Sequence, residues 1–260
     1  MKLISRASAF LALCGLLSAT STAQTPAVFH PGDKLAAGGS PWKTAVGDVD
    51  GNETPDLVVA RGGSVSVLLN SDPVLLNSAT AAFEGPTTSI AAGLSPNAVA
   101  IGKLNADGFG DLVTVNLDGT ISVLLGTGTG SFEAPTAAGA ITNPLTMALA
   151  DLNGDSFSDL VRPQSWSKTV LVQFGDGSGG FEPGVLWLYA MPSSPQSVAI
   201  GDVNGDSNPD LVTALDEWDV LVMLGGGTGL DVFQLGSKGG LLVIGRDYDR
   251  YPWCRISFPY

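Results

Sequence analysis

The chain has very few of the side chains that most catalytic and transition-metal sites use. Among its 260 residues there is one histidine, His30, and there are two cysteines, Cys14 and Cys254. Zinc, copper and iron sites in proteins need histidine or cysteine ligands, so a cluster of that kind is excluded. His30 stands alone in a turn-like segment and Cys254 has no histidine partner, so no nucleophile–histidine–acid set is recognisable.

Basic residues are also scarce. The chain has 12 lysines and arginines against 25 aspartates and glutamates, and its formal net charge is −13. This balance argues against nucleic acid or an anionic membrane surface as a partner, because both attract basic patches. It is compatible with the binding of hard cations.

Long hydrophobic runs are absent except at the start of the chain. Lys2 and Arg6 flank a short basic segment, residues 7–18 are largely apolar, and Ser21-Thr22-Ala23 supplies the small residues of a cleavage site. Residues 1–23 are therefore predicted to be a signal peptide, and a membrane anchor would need about 20 apolar residues. We expect a secreted, cell-surface or periplasmic protein without membrane insertion. Cleavage would remove Lys2 and Arg6 and move the formal net charge from −13 to −15. It would also remove Cys14, so Cys254 would have no internal disulfide partner.

The remaining chain contains an acidic segment that occurs four times at intervals of about 50 residues. Each copy has nine positions, most of the odd ones carry Asp or Asn, and the last Asp is followed by Leu-Val in all four. A fixed period of this length is typical of repeat architectures. We call the copies loops 1 to 4, and they are residues 48–56, 103–111, 151–159 and 202–210.

Each repeat also contains short β-branched runs bounded by turn residues, and no segment has helical periodicity. Four antiparallel strands in about 50 residues predict an all-β protein, a β-propeller of four-stranded blades. Residues 24–240 would form four full repeats, with a first strand of small residues nearest the axis. Residues 241–260 would be a partial fifth repeat, beginning with a first strand at 241–245, or a divergent tail. The sequence leaves open whether the ring is small and closed or is an open, truncated arc that assembles into an oligomer.

The alternating oxygen donors of the loops predict calcium sites. Calcium takes six to eight oxygen ligands, and a tight loop can direct its odd-numbered side chains at one centre, with the main-chain carbonyl of position 7 as a further donor. The alternative is that these residues only cap turns, but four copies in register favour calcium. The candidate ligands are Asp48, Asp50, Asn52, Thr54, Asp56, Asn105, Asp107, Asp111, Asp151, Asn153, Asp155, Phe157, Asp159, Asp202, Asn204, Asp206, Asn208 and Asp210.

Loop 2 differs because Lys103 occupies position 1. Its ammonium could lie near Asp107 and Asp111 and substitute for an ion. Three calcium sites are therefore expected, and the site of loop 2 should be weak or empty.

These loops and the repeat length resemble the FG-GAP or VCBS-type repeats of integrin α subunits and of many exported bacterial proteins. The pattern Asp-x-Asp/Asn-x-Asp/Asn-x-x-x-Asp-Leu is complete in loops 1, 3 and 4, whereas the name-giving Phe-Gly follows a third strand only at Phe174-Gly175. The resemblance implies a calcium-binding propeller and does not imply a particular ligand.

Two functions are compatible with this pattern. The first is a non-catalytic adhesion or binding module for an unknown extracellular protein or glycan. The second is a polysaccharide lyase or hydrolase on a propeller scaffold, which would need a cluster of basic or tyrosine side chains that the sequence does not display. Tryptophans at or near strand ends could stack on sugars, but packing between blades is the interpretation that we favour; they are Trp42, Trp166, Trp187 and Trp218.

Overall fold

The fold consists of four antiparallel sheets of four strands each, arranged as a four-blade propeller. The structure is a computed structural model, and it describes residues 35–37, 39–70, 83, 88–140, 146–183, 187–216, 219–226 and 241–244. Blade 1 contains β1 (Pro41–Gly47), β2 (Asp56–Arg61), β3 (Ser64–Leu68) and β4 (Thr88–Ile90), and blade 2 contains β5 (Pro96–Gly102), β6 (Asp111–Asn116), β7 (Thr120–Leu124) and β8 (Thr136–Ala140). Blade 3 contains β9 (Ala148–Ala150), β10 (Asp159–Gln164), β11 (Thr169–Gln173) and β12 (Trp187–Ala190), and blade 4 contains β13 (Pro195–Gly201), β14 (Asp210–Leu215), β15 (Val220–Met223) and β16 (Leu241–Ile244).

The predicted all-β propeller is thus confirmed. In every blade the strands pair in chain order, so each blade is a simple meander. The first strands lie innermost, as their small residues predict, because β5 contacts both β1 and β9, and β9 also contacts β13. Each acidic loop joins the first strand of its blade to the second, so all four loops lie at the same end of the blades.

The Leu-Val pair after each loop explains how neighbouring blades pack. Leu112 of blade 2 lies in one apolar cluster with Val58 of blade 1, and both side chains are fully buried. Blades 2 and 3 form an equivalent cluster, as do blades 3 and 4. The leucine therefore faces the preceding blade and the valine faces the following one, since successive strand residues point to opposite faces. Burial of apolar surface between blades, at about 25 cal/mol per Å², is the main stabilising contribution to the propeller.

The expectation for residues 241–245 is corrected. Residues Leu241–Ile244 do not begin a fifth blade; they form β16, which pairs with β15 from Met223↔Leu241 to Val220↔Ile244. The Leu-Leu-Val-Ile sequence fits either position, and the long connection from β15 hid the pairing from sequence analysis. The predicted signal peptide, His30, Trp218 and the tail after Ile244 lie outside the described residues, and among the described residues no helix is long and apolar enough to span a membrane.

Candidate metal centre

The aspartate at position 1 holds the acidic loop in its bent shape. In loop 4 the Oδ1 atom of Asp202 accepts the amide hydrogen of Gly205 at 2.7 Å, and its Oδ2 atom accepts that of Ser207 at 2.9 Å. Gly205 and Ser207 both have left-handed backbone conformations, with φ of 79° and 69°. The loop thus bends sharply at position 4, and a second sharp bend occurs at position 6. Loops 1 and 3 repeat this arrangement with Asp48, Gly51 and Glu53, and with Asp151, Gly154 and Ser156.

Loop 1 brings three carboxylates together. One oxygen from each of Asp48, Asp50 and Asp56 lies within 4.8 Å of the other two. Asn52 and Thr54 complete the loop, and both donate hydrogen bonds to the carbonyl oxygen of Asn70, which follows β3. Among the described residues this is the only group of three acidic, histidine or cysteine side chains gathered at such distances. Three like charges at this spacing repel one another unless a cation lies between them.

Loops 3 and 4 carry asparagine at position 3, and its amide interacts directly with the aspartate at position 5. In loop 4 the Nδ2 group of Asn204 donates to Oδ2 of Asp206 at 3.0 Å, while the amide of Asp206 donates to Oδ1 of Asn204 at 2.9 Å. The backbone amide of Asn208 donates to Asp206 and holds the pKa of that exposed carboxyl below its usual range. The predicted side chains of these loops are therefore adjacent, but their carboxylates do not converge as those of loop 1 do.

The aspartate at position 9 connects three parts of its blade. Asp210 is fully buried, and its two oxygens accept the amide hydrogens of Val203, at position 2 of the loop, and of Gly225, which follows β15, each at 2.8 Å. Both amides would otherwise have no protein acceptor, so the carboxylate joins the ends of the first and third strands to the start of the second. Asp56, Asp111 and Asp159 do the same in the other blades. The sequence pattern predicted this aspartate only as a calcium ligand and did not predict that it joins the strands of its blade.

Burial raises the pKa values of Asp56, Asp111 and Asp159. Removal from water raises the pKa of Asp159 to about 6, and the nearby Asp155 and Asp151 raise it further, although hydrogen bonds from Gly175 and Leu152 oppose the change. Burial also raises the pKa values of Asp56 and Asp111 above their ordinary value. A cation beside these carboxylates would favour their ionised forms.

Loop 2 lacks the aspartate at position 1 and the glycine at position 4 that shape the other three loops. The side chain of Lys103 is exposed and, among the described residues, forms no ion pair with Asp107 or Asp111. Its backbone is instead bonded to blade 3, because the amide of Ser158 donates to the Lys103 carbonyl at 2.7 Å. Position 4 is Ala106, which does not adopt the left-handed conformation of the equivalent glycines.

The donor set of loops 1, 3 and 4 consists entirely of oxygen atoms, mostly carboxylate and amide oxygens. These are the ligands of calcium rather than of zinc, copper or iron. The side chains at positions 1, 3, 5 and 9 would hold the ion, together with the main-chain carbonyl at position 7. A bound calcium would supply charge neutralisation and would cross-link the loop.

Phenylalanine at position 7 has a packing role that the sequence analysis missed. A Cβ atom added to Gly177 would lie 2.6 Å from the ring of Phe157, and one added to Gly128 would lie 2.4 Å from the ring of Phe109. The Gly-rich hairpins between third and fourth strands therefore need glycine for close approach as well as for positive φ, which is 68° at Gly177 and 76° at Gly128. The sequence signal for this contact was phenylalanine at position 7 of an acidic loop together with glycine in the hairpin between the third and fourth strands of the same blade.

The opposite end of the blades carries exposed aromatic side chains. Trp166, in the β10–β11 hairpin, is 85% exposed, and Trp42, at the start of β1, is 62% exposed. Packing between blades, the interpretation favoured from the sequence, is wrong for both. Leu94 and Leu117 are also exposed at this end. We call the side bearing these four residues the tryptophan face; it is distinct from the side that bears the acidic loops.

Comparison with known families supports the repeat assignment. A family model described as an FG-GAP-like repeat matches residues 103–162, which contain loops 2 and 3 and the strands between them. Residues 103–162 are thus similar to an FG-GAP-like repeat. The matched segment includes Lys103 and Ala106, so the repeat is recognisable even in the loop that departs from the acidic pattern. No curated protein matches the chain significantly.

Solved structures are similar to this chain at low sequence identity. An Agrocybe aegerita lectin that specifically recognises non-reducing terminal N-acetylglucosamine shares the fold; it is 18% identical, with a TM-score of 0.53, and the match covers 82% of this chain and 55% of the lectin. The BBS1 N-terminal domain, solved with ARL6, matches at 18% identity and a TM-score of 0.47, over 69% of this chain and 49% of the other. The Vibrio cholerae biofilm matrix protein Bap1 matches at 17% identity and a TM-score of 0.37, over 78% and 40%. The chain thus spans about half the length of these structures or less.

Proposed function

We propose that this protein is an exported, calcium-binding propeller that acts as a non-catalytic module for binding an extracellular glycan or protein. The calcium ions brace the loops at one end of the blades, and the tryptophan face at the other end holds the ligand. The observation that carries the proposal is the separation of the two: the carboxylates gather in the acidic loops, while Trp42 and Trp166 stand exposed at the opposite end.

The calcium part is supported by the carboxylates of loop 1. Asp48, Asp50 and Asp56 carry three negative charges within a few ångströms, and the hydrogen bonds that they accept from described residues come from backbone amides and the side-chain amide of Asn52. An ion bound by the folded loop and not by the unfolded chain stabilises the folded state by mass action. Calcium should therefore raise the melting temperature above that in EDTA, while magnesium, which prefers to keep its waters, should have a smaller effect. Identical melting curves in calcium and EDTA would contradict the calcium sites.

The ligand part is supported by the exposed indole rings. An indole ring exposes a large apolar face at little cost in conformational entropy, and it stacks on the apolar side of a sugar ring or on a protein side chain. The low number of basic residues favours a neutral ligand over an acidic polysaccharide. The lectin with the same fold is consistent with a glycan, but its specificity belongs to that protein.

A glycan array, followed by titration calorimetry on each hit, tests this assignment. Trp42→Ala and Trp166→Ala should each weaken binding at least about tenfold, which corresponds to about 1.4 kcal/mol. The matched control is Leu188→Ala, because Leu188 is exposed on β12 and lies away from the tryptophan face. Unchanged affinity in both tryptophan variants would exclude this face, and turnover of any polysaccharide would contradict a non-catalytic function.

A further inference from the structure

The contacts between consecutive blades repeat one interlocking feature. A Cβ atom added to Gly47, at the end of β1, would lie 3.2 Å from Cδ1 and 3.6 Å from Cβ of Ile101 in blade 2. A Cβ atom added to Gly102 would lie 2.7 Å from Oγ of Ser158 and 3.0 Å from Cδ1 of Leu149, both in blade 3. In blades 1 and 2 the glycine that ends the first strand is thus a slot, and the aliphatic residue one position earlier in the next blade helps to fill it.

Among the described residues, this feature has no partner at either end of the series of blades. Val46 of blade 1 occupies the position of Ile101 and Leu149, yet it is 66% exposed. Gly201 of blade 4 occupies the position of Gly47 and Gly102, yet nothing lies within 4 Å of a Cβ atom added to it. Blade 1 therefore presents an unused aliphatic side chain, and blade 4 presents an unused slot.

The residue at position 2 of the acidic loops shows the same asymmetry. Val49, Leu104 and Leu152, in blades 1 to 3, are at most 2% exposed, whereas Val203 in blade 4 is 55% exposed. The covering group is the hairpin of the next blade, since the amide of Gly179 in blade 3 donates to the carbonyl of Leu104 in blade 2 at 2.9 Å. Val203 lacks such a cover.

The faces behind these residues are complementary as well. Leu57 of blade 1 is partly exposed, while its equivalents Leu112, Leu160 and Leu211 are fully buried against the preceding blade. Val212 of blade 4 is partly exposed, while its equivalents Val58, Val113 and Val161 are fully buried against the following blade. The two open faces are thus the two halves of one blade junction.

We propose that blade 4 of one chain docks on blade 1 of a second copy, and that Val46 of the second copy fills the slot at Gly201. The partner is identified by the repeat itself, because three junctions within the chain already pair these two kinds of surface. The contact is head-to-tail, so it can be made twice and close two chains into a ring of eight blades, which lies within the usual range for propellers.

Cysteine cross-linking tests the contact directly. In a Cys14→Ser/Cys254→Ser background, Val46→Cys and Gly201→Cys are placed on separate chains and mixed in an oxidising glutathione buffer. The Cβ distance of 3.6 Å at the Gly47–Ile101 junction is suitable for a disulfide, and the same geometry is expected between chains. The matched positive control is Gly47→Cys/Ile101→Cys in one chain, which should form an intramolecular disulfide.

A disulfide-linked dimer that forms in the mixture and in neither single variant alone supports the proposal. Dimers of Val46→Cys alone would indicate a symmetric contact and would overturn it. So would an intramolecular disulfide in a Val46→Cys/Gly201→Cys chain, because the chain would then close on itself.

Sedimentation of the unmodified protein gives a second, independent measurement. A concentration-dependent dimer is expected, and Val46→Asp should raise its dissociation constant at least about tenfold, since an unpaired carboxylate would be buried in the slot. Leu188→Asp, on β12, should leave the dissociation constant unchanged. A monomer at every concentration, with no cross-link in the mixture, would overturn the proposal.

Discussion

Replacing Asp210 by alanine should destabilise the protein even when no calcium is present. The two amides that its carboxylate accepts, from Val203 and Gly225, would lose their acceptor at a site where the aspartate is fully buried. An unsatisfied buried donor costs about 1–3 kcal/mol, but both amides are only partly buried and water can replace part of the lost acceptor, so the free energy of unfolding should fall by about 1–3 kcal/mol in total. For a domain of this size, that corresponds to a lower melting temperature by about 2–12 °C.

Asp206→Ala is the matched control within the same loop. Asp206 is exposed, and its hydrogen bonds join only residues of the loop. In EDTA this variant should lose less than about 1 kcal/mol, as is usual for surface substitutions. In calcium, however, both variants should lose the stabilisation that the ion provides at loop 4.

Thermal and urea unfolding, followed by tryptophan fluorescence in EDTA and in calcium, separates the two roles. The expected result is a large loss in EDTA for Asp210→Ala and a small one for Asp206→Ala. Equal melting temperatures of the two variants in EDTA would refute the conclusion that the position-9 aspartate supports the blade independently of the metal.

Three further predictions concern the acidic loops and the Gly-rich hairpin that packs against loop 3. Because burial raises the folded-state pKa of Asp159 to about 6 from 3.8, the folded protein binds a proton that the unfolded chain does not bind between about pH 4 and 6. In EDTA, the free energy of unfolding should therefore fall as the pH rises through 6, by up to about 3 kcal/mol from this group. Asp159→Asn should flatten this dependence of stability on pH. An Asp159→Asn protein with the same pH dependence as the wild type would contradict the prediction. Lys103→Asp/Ala106→Gly should add one calcium site measured by calorimetry and should bind more tightly than Lys103→Asp alone, because position 4 needs a left-handed residue; equal affinities would show that the bend is unimportant. Gly177→Ala should lower the free energy of unfolding by at least about 1 kcal/mol, since its φ is positive and Phe157 is too close, whereas Gly62→Ala, with no atom within 4 Å, should have little effect in the same urea titration.

The repeat allowed the blade to be predicted from sequence because local signals and the period agreed. Each part of a four-stranded meander has its own local signal: short β-branched runs such as Ile121–Leu125, glycine hairpins and the Asp-Leu-Val pattern. The strand β7 ends within one residue of the end of the run Ile121–Leu125. The pairing of β16 with β15 was missed because a long connection separates them, and no local pattern encodes pairing across such a distance. The exposure of Trp166 was missed for a related reason, since a tryptophan at a strand end has the same sequence context whether it packs on a neighbouring blade or faces solvent.

The structure also distinguishes the loops from one another in a way that ligand counting does not. Loops 1, 3 and 4 each have aspartate at positions 1 and 9, one further aspartate and at least one asparagine, so their formal charges at the odd positions are equal. Only in loop 1 do three carboxylate oxygens lie within 4.8 Å of one another, because Asp50 is at position 3, next to Asp48 and Asp56. In loops 3 and 4 the third carboxylate is at position 5, and these described loops do not gather three carboxylate oxygens in this way. Repulsion without an ion is therefore greatest in loop 1, and a cation that relieves it gains the most there. Calcium should accordingly fill loop 1 first and loops 3 and 4 afterwards, so Asp50→Asn should abolish the tightest phase of a calorimetric titration, while Asp155→Asn should remove only a weaker one.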